Sequence, residues 1–423
     1  MSFPRYPAYK ESGVEWLGAV PVHWDVAPYK RMVSLQNGSD HKHIECDDGY
    51  PVIGSGGQFA CASEFMHDGE SVLLGRKGTI DKPLYVSGKF WTVDTMYWSK
   101  IQPGAFGRFA YYSALTIPFG YYSTNTALPS MTKSVLEAHL LASPPEQEQV
   151  AIAAFLDRET AKIDALVAEQ EQLITLLKEK RQAVISHAVT KGLDPSVPMK
   201  DSGVEWLGEV PEHWQVNRLQ RVVKPGTSVT YGIVQAGPDF EGGIPYIRTS
   251  DMAGDELPVD GYPKTSPEID ASYARSKVSA GDLVIAIRAT VGKCLPVPQE
   301  LDGANLTQGT ARIAPGPDTD PGYLLSFING NASQTYFDRM AKGATFREIT
   351  LEVLRKTPVL VPPLDEQSQI ASWVKQQSEQ FSSLIREAEE AQVLLKERRS
   401  ALISAAVTGQ IDVRGLALAK EAA

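Results

Sequence analysis

Two stretches of the chain, residues 146–190 and 364–408, contain no proline or glycine, and their apolar residues recur at steps of four and three. In the first the steps trace Ile152, Leu156, Ile163, Leu166, Leu173 and Leu177; in the second they trace Ile370, Val374, Phe381, Leu384, Leu395 and Leu402. A 3.5-residue period held over about five heptads predicts long helices that supercoil against a partner. Each would be about 60 Å long at ~1.5 Å per residue. Pro144-Pro145 and Pro362-Pro363 end whatever precedes each helix. The remaining stretches, 25–143 and 215–361, carry short apolar runs such as Ser71–Leu74 and Asp282–Ile287, broken at short intervals by turn residues. That pattern predicts α+β domains built largely from short strands.

The chain is written twice. KESGVEWLGAVPVHW (10–24) and KDSGVEWLGEVPEHW (200–214) agree at 12 of 15 positions, at an offset of 190. A second repeat, at an offset of 218, relates 144–194 to 362–412: the Pro-Pro pair, Glu148-Gln149, LLKE (176–179) and AVT (188–190) all recur. Near-constant flanks therefore enclose divergent middles, the second of them 28 residues longer. The organisation expected is a first domain over 1–143, its helix over 144–194, a second domain over 195–361, its helix over 362–412, and a tail over 413–423. The natural partner of each helix is the other copy. Antiparallel pairing, the arrangement adopted here, makes the whole an internal pseudo-two-fold repeat. The polar seam positions Glu159, Lys180, Gln377 and Arg398 suggest a register in which Glu159 faces Arg398 and Lys180 faces Gln377.

Composition narrows the function classes. Hydrophobic residues make up 43% and charged residues 22%, which excludes wholesale disorder. No apolar run reaches the ~18–20 residues that span a bilayer, and the N-terminus lacks the pattern of a signal peptide. Three cysteines fit a reducing cytoplasm. The formal net charge of −10 argues against a nucleic-acid binder, because phosphate contacts need clustered lysine and arginine. Nor is either middle basic: 25–143 holds 10 basic and 11 acidic residues, and 215–361 holds 15 and 16. A DNA-binding surface would have to segregate its charges onto one face.

Signatures of catalysis are missing. Gly292-Lys293 is followed by Cys294 and lacks the upstream glycine of a phosphate-binding loop. His41, His43, Cys46, Cys61 and His67 lack the spacing of zinc ligands. What the two middles share is a basic turn after an apolar run: LLGRKGTIDK (73–82) aligns with IAIRATVGK (285–293). Such a turn can bring backbone and cationic side chains close to phosphate. TALPSMT (126–132) likewise sits opposite ATFREIT (344–350). The candidates for DNA contact are Arg76, Lys77, Thr79, Lys82, Arg288, Thr290 and Lys293, with Tyr122, Asn125, Gln308 and Arg347 in neighbouring loops.

With the doubled SGVEWLG-x-VP-x-HW element, the doubled Pro-Pro-x-x-Glu-Gln helix start and the two helix ends (176–194 and 394–412), the chain resembles the specificity subunits of type I restriction–modification systems. The middles also resemble that family's target recognition domains: GRKGTID with FWTVDT (90–95) in the first, RATVGK with NLTQGTARI (305–313) in the second. The resemblance implies a non-catalytic subunit in which each recognition domain reads one half of a bipartite, asymmetric duplex target. The helical spacer would set the gap between the halves. It also implies two methyltransferase (modification) subunits and two restriction (motor-nuclease) subunits as partners. S-adenosylmethionine, ATP and Mg would be used by those partners, with no cofactor or metal in this chain. The rival expectation, favoured by the acidic charge, is a coiled-coil adaptor whose domains bind protein.

Overall fold

The structure, a computed structural model, describes residues 3–122, 129–343 and 347–416. It divides into two units, residues 1–171 with 390–423, and residues 172–389. Each long helix is continuous, Glu146–Lys191 and Leu364–Val407, and each contributes one half to each unit.

In the first unit, the strands Asp25–Pro28 and Leu140–Ser143 pair antiparallel. This ladder brings the two ends of the variable stretch together and delivers the chain to Pro144-Pro145 at the helix start. Between them lies a four-stranded sheet in the order Leu84–Val86, Ser71–Gly75, Met96–Ile101, Val33–Asn37. A second sheet contains a parallel pair, Lys89–Thr92 alongside Tyr50–Gly54. Val33, Leu35, Val72 and Leu74 share a core with Trp24, Phe109, Ile152, Leu156, Ile163, Leu402 and Ala406. The strand-rich fold and both helices are therefore one packed body in this unit.

The second unit repeats the plan. Gln215–Arg218 pairs antiparallel with Pro358–Val361. The four-stranded order is Thr230–Tyr231, Thr310–Ile313, Leu283–Ala286, Cys294–Pro296, and a parallel pair joins Ile244–Ile247 to Asn305–Leu306. Read along the chain, the strands of each four-stranded sheet neighbour one another in the same sequence. The core again mixes sheet residues (Leu283, Ile285, Ile313) with helix residues (Ala188, Val189, Ile370, Val374).

The repeated tryptophan element acts as a clasp on the helix start. In the first unit the Trp24 indole N–H donates to Glu148 at 3.0 Å, His23 lies 2.7 Å from the same carboxylate, and the Tyr6 hydroxyl donates to it at 3.0 Å. In the second unit Trp214 donates to Glu366 at 3.0 Å, with His213 at 2.8 Å. Each carboxylate lies in the first turn of its helix, where the positive end of the helix dipole favours it.

The helices of each unit run in opposite directions. In the first unit Arg399 pairs with Asp164 at 2.7 Å and Gln392 donates to Glu171 at 2.8 Å. In the second unit Lys178 lies 3.9 Å from Glu389 and Arg181 donates to Ser382. These pairs correct the expected register. Glu159 bonds Arg158 and Lys162 of its own helix, so it does not face Arg398. The seam also differs in phase. Leu166, Leu173 and Leu384 are 43%, 42% and 47% exposed, whereas Val167 and Ile174 are partly buried and Ile385 is buried. Ile152, Leu156, Ile163, Ile370, Val374, Phe381 and Leu402 are buried, and Leu177 and Leu395 partly so. The inward positions are reached by stepping four then three from Ile163, not three then four.

Candidate nucleic-acid interface

The basic turn of the first unit grows out of the wholly buried strand Ser71–Gly75. A Cβ at Gly75 would meet the Thr79 carbonyl oxygen at 2.3 Å, so the turn closes tightly over a residue that must be glycine. The Arg76 and Lys77 amides both donate to the Thr95 carbonyl, and Gly78, at φ +80°, donates to Pro129. Lys77 forms an isolated antiparallel bridge with Ser130, just before the short helix Lys133–Ala138. Lys77, Thr79 and Lys82 are exposed. Arg76 is half-buried, with its guanidinium 5.9 Å from the Tyr97 ring centre and donating to the Asp94 carbonyl.

The corresponding turn of the second unit leaves the buried strand Leu283–Ala286. The Ile287 and Arg288 amides donate to the Gly309 carbonyl, and Ala289 donates to Arg347. Arg288 bridges to Glu348, just before the short helix Leu351–Lys356, as Lys77 bridges to Ser130. The same backbone construction therefore recurs in both units. Thr290 is exposed, while the Lys293 ammonium donates to the Ala253 carbonyl. Arg288 and Gln308 line one cavity of about 250 Å³ together with Tyr231, Glu348 and Thr350.

The remaining candidates part company. Tyr122 is engaged within its own unit: its hydroxyl lies 3.0 Å from His139 Nδ1 and its ring packs edge-on against that imidazole. Asn125 lies outside the described residues. Arg347 reaches back to its own unit, donating through Nη1 and Nη2 to the Asp338 side chain and carbonyl. Sequence reasoning did not single out Glu348 or Tyr231. Glu348 lies in the ATFREIT segment already matched between the copies, which was the available signal.

The even charge balance is accompanied by ion pairing within the second unit. Arg248 pairs with Asp251, Arg288 with Glu348, Arg312 with Asp282, Arg347 with Asp338 and Lys277 with Asp270. Five acids of the second unit are thus held by named cations, Arg288 and Arg347 beside the basic turn among them.

Residues 211–394 match the family model for the type I restriction modification DNA specificity domain. Over that span the chain is similar to the type I restriction–modification specificity subunits. The specificity subunit of the EcoBI type I restriction enzyme from Escherichia coli is 26% identical over 353 residues, covering 82% of this chain and 74% of that one. The putative MjaX specificity subunit from Methanocaldococcus jannaschii is 24% identical over 296 residues, covering 67% and 62%. Among solved structures, one of a type I restriction–modification complex contains a chain with a TM-score of 0.64 at 18% identity, covering 92% of this chain and 98% of that one. The HsdS subunit from Thermoanaerobacter tengcongensis gives 0.54 at 16%, covering 95% and 100%. At these identities the structural likeness concerns the fold. No helix among the described residues is long and apolar enough to cross a membrane.

Proposed function

We propose that this chain is the specificity subunit of a type I restriction–modification system and a non-catalytic DNA reader. Each recognition domain takes one half of a bipartite, asymmetric duplex target, and the two long helices pair as an antiparallel coiled coil that sets the gap. The observation that carries the reading is the shared construction of the two basic turns, one bridged to Ser130 and the other to Glu348. A constant backbone frame with different side chains is what two domains reading different half-sites need, since base contacts specify and phosphate contacts only position. Opposed helix directions within each unit support the spacer. In this reading the helices dock two modification subunits, and two restriction subunits join for cleavage. S-adenosylmethionine, ATP and Mg serve those partners, and any base flipping for adenine methylation happens there.

The test is methylation mapping of genomic DNA in cells carrying this chain with its modification subunit. A bipartite methylated-adenine motif that vanishes without this chain is the expected result. Replacing residues 25–143 should change one half of the motif and leave the other intact. A stable complex that methylates nothing would refute the reading. DNA affinity that falls steeply with salt separates a DNA reader from a protein adaptor.

A further inference from the structure

The second recognition domain presents two arginines at its basic turn, and their hydrogen bonds divide them sharply. Arg347 uses both terminal nitrogens internally, Nη1 on Asp338 Oδ1 at 2.7 Å and Nη2 on the Asp338 carbonyl at 2.6 Å. Arg288 is held the other way. Its Nε donates to Glu348 Oε2 at 2.8 Å, and among the described residues Nη1 and Nη2 make no hydrogen bond. A guanidinium gripped at Nε is fixed in plane and direction, while its outer two-pronged edge remains available. That edge matches the O6 and N7 acceptors of guanine in the major groove.

The backbone beneath Arg288 is equally constrained. Its amide donates to Gly309, the next residue donates to Arg347, and Ile349 donates back to Ile287, so the turn is tied on both sides. Ala289 sits at φ +61°, a left-handed conformation that a non-glycine residue holds only where its surroundings impose it. Both side chains of the pair face solvent at the rim of the cavity that Gln308 and Tyr231 also line. A carboxylate in contact with the arginine makes this a poor phosphate clamp, because it opposes a second anion at the same guanidinium. It does not oppose the edge of a neutral base.

We propose that Arg288 reads a guanine in the half-site taken by the second recognition domain, and that Glu348 is the positioning residue that aims it. Arg347, with both terminal nitrogens spent on Asp338, reads nothing. The inference rests on the DNA-reading function proposed above and adds which base and which side chain.

The experiment is methylation mapping in cells carrying the modification subunit with the wild-type chain, Arg288→Lys, Glu348→Ala, Glu348→Asp or Arg347→Ala. Lysine keeps the charge and loses the planar fork. Arg288→Lys should relax one G·C position of one half-site, raising methylation of the other bases there by roughly 5- to 150-fold relative to guanine. Glu348→Ala should relax the same position, with Glu348→Asp recovering part of the preference. Arg347→Ala should leave the motif as it was. A uniform fall at all sites, or an unchanged motif with Arg288→Lys, would show a phosphate contact or none and overturn the proposal alone. Loss of preference at the same position with Arg347→Ala would overturn the division of roles. If the wild-type chain directs no motif, the DNA-reading function fails and this inference with it.

Discussion

Glu148 and Glu366 occupy matching positions in the duplicated clasp, yet they carry different loads. Glu148 receives the Trp24 indole, the Tyr6 hydroxyl and His23; Glu366 receives the Trp214 indole and His213. Trp24 and Trp214 are fully buried and Tyr6 is nearly so, whereas both histidines are partly open to water and can be hydrated if the carboxylate is lost. Burial, reinforced by the Glu148 carboxylate, pushes the Tyr6 phenol well above its usual range, so it stays a donor. A stranded buried donor costs about 1–3 kcal/mol, and removing a carboxylate from the first helical turn costs about 0.3–1 kcal/mol. Glu366→Ala, stranding one such donor, should therefore cost about 1–4 kcal/mol. Glu148→Ala, stranding two, should cost about 2–7 kcal/mol. Hydrogen exchange reads each clasp separately, through peptides covering 146–160 and 364–378. Each 1.4 kcal/mol appears there as a tenfold loss of protection where exchange follows the opening equilibrium. The extra cost at Glu148 is assigned to Tyr6, so in a Tyr6→Phe background Glu148→Ala should fall to the level of Glu366→Ala. Equal costs in the wild-type background, or no change with Tyr6→Phe, would refute the reasoning.

Two further outcomes follow from the same geometry. A double-mutant cycle between Asp164 and Arg399 should give a coupling of about 0.5–1 kcal/mol, as for a two-bonded pair at a wet surface, and the cycle between Glu159 and Arg398 should give none; denaturation midpoints measure both, and the reverse ranking would contradict the helix register. His139 is stacked on Trp16, and burial lowers its pKa to about 4 from 6.5. The unfolded chain therefore takes up that proton below about pH 6.5 while the folded chain refuses it until about pH 4, so its contribution to stability is present above 6.5 and lost progressively between those values. Stability titrations of the wild type and His139→Gln should diverge in that window, and parallel curves would show that His139 does not titrate as described.

The sequence by itself determined the plan of this protein. Duplicated motifs, proline pairs and uninterrupted helix formers specify two helices within a residue or so of their observed ends, because these signals are local: a proline removes a donor and restrains its neighbour wherever the chain goes. It also located both basic turns, since an apolar run ending in Arg-Lys-Gly or Arg-Ala-Thr is legible from a few consecutive residues. The phase of the helix seam was not legible. Leu166 adjoins Val167, Leu173 adjoins Ile174 and Leu384 adjoins Ile385, so either stepping satisfies a hydrophobic period, and only packing within each unit selects the second of each pair. The division between Arg288 and Arg347 was equally hidden. It depends on which guanidinium edge a carboxylate occupies, and Glu348 lies 60 residues along the chain from Arg288. Periodicity and turn chemistry act over a few residues. The direction of a guanidinium is decided by the tertiary structure, because its partner reaches it only through the fold.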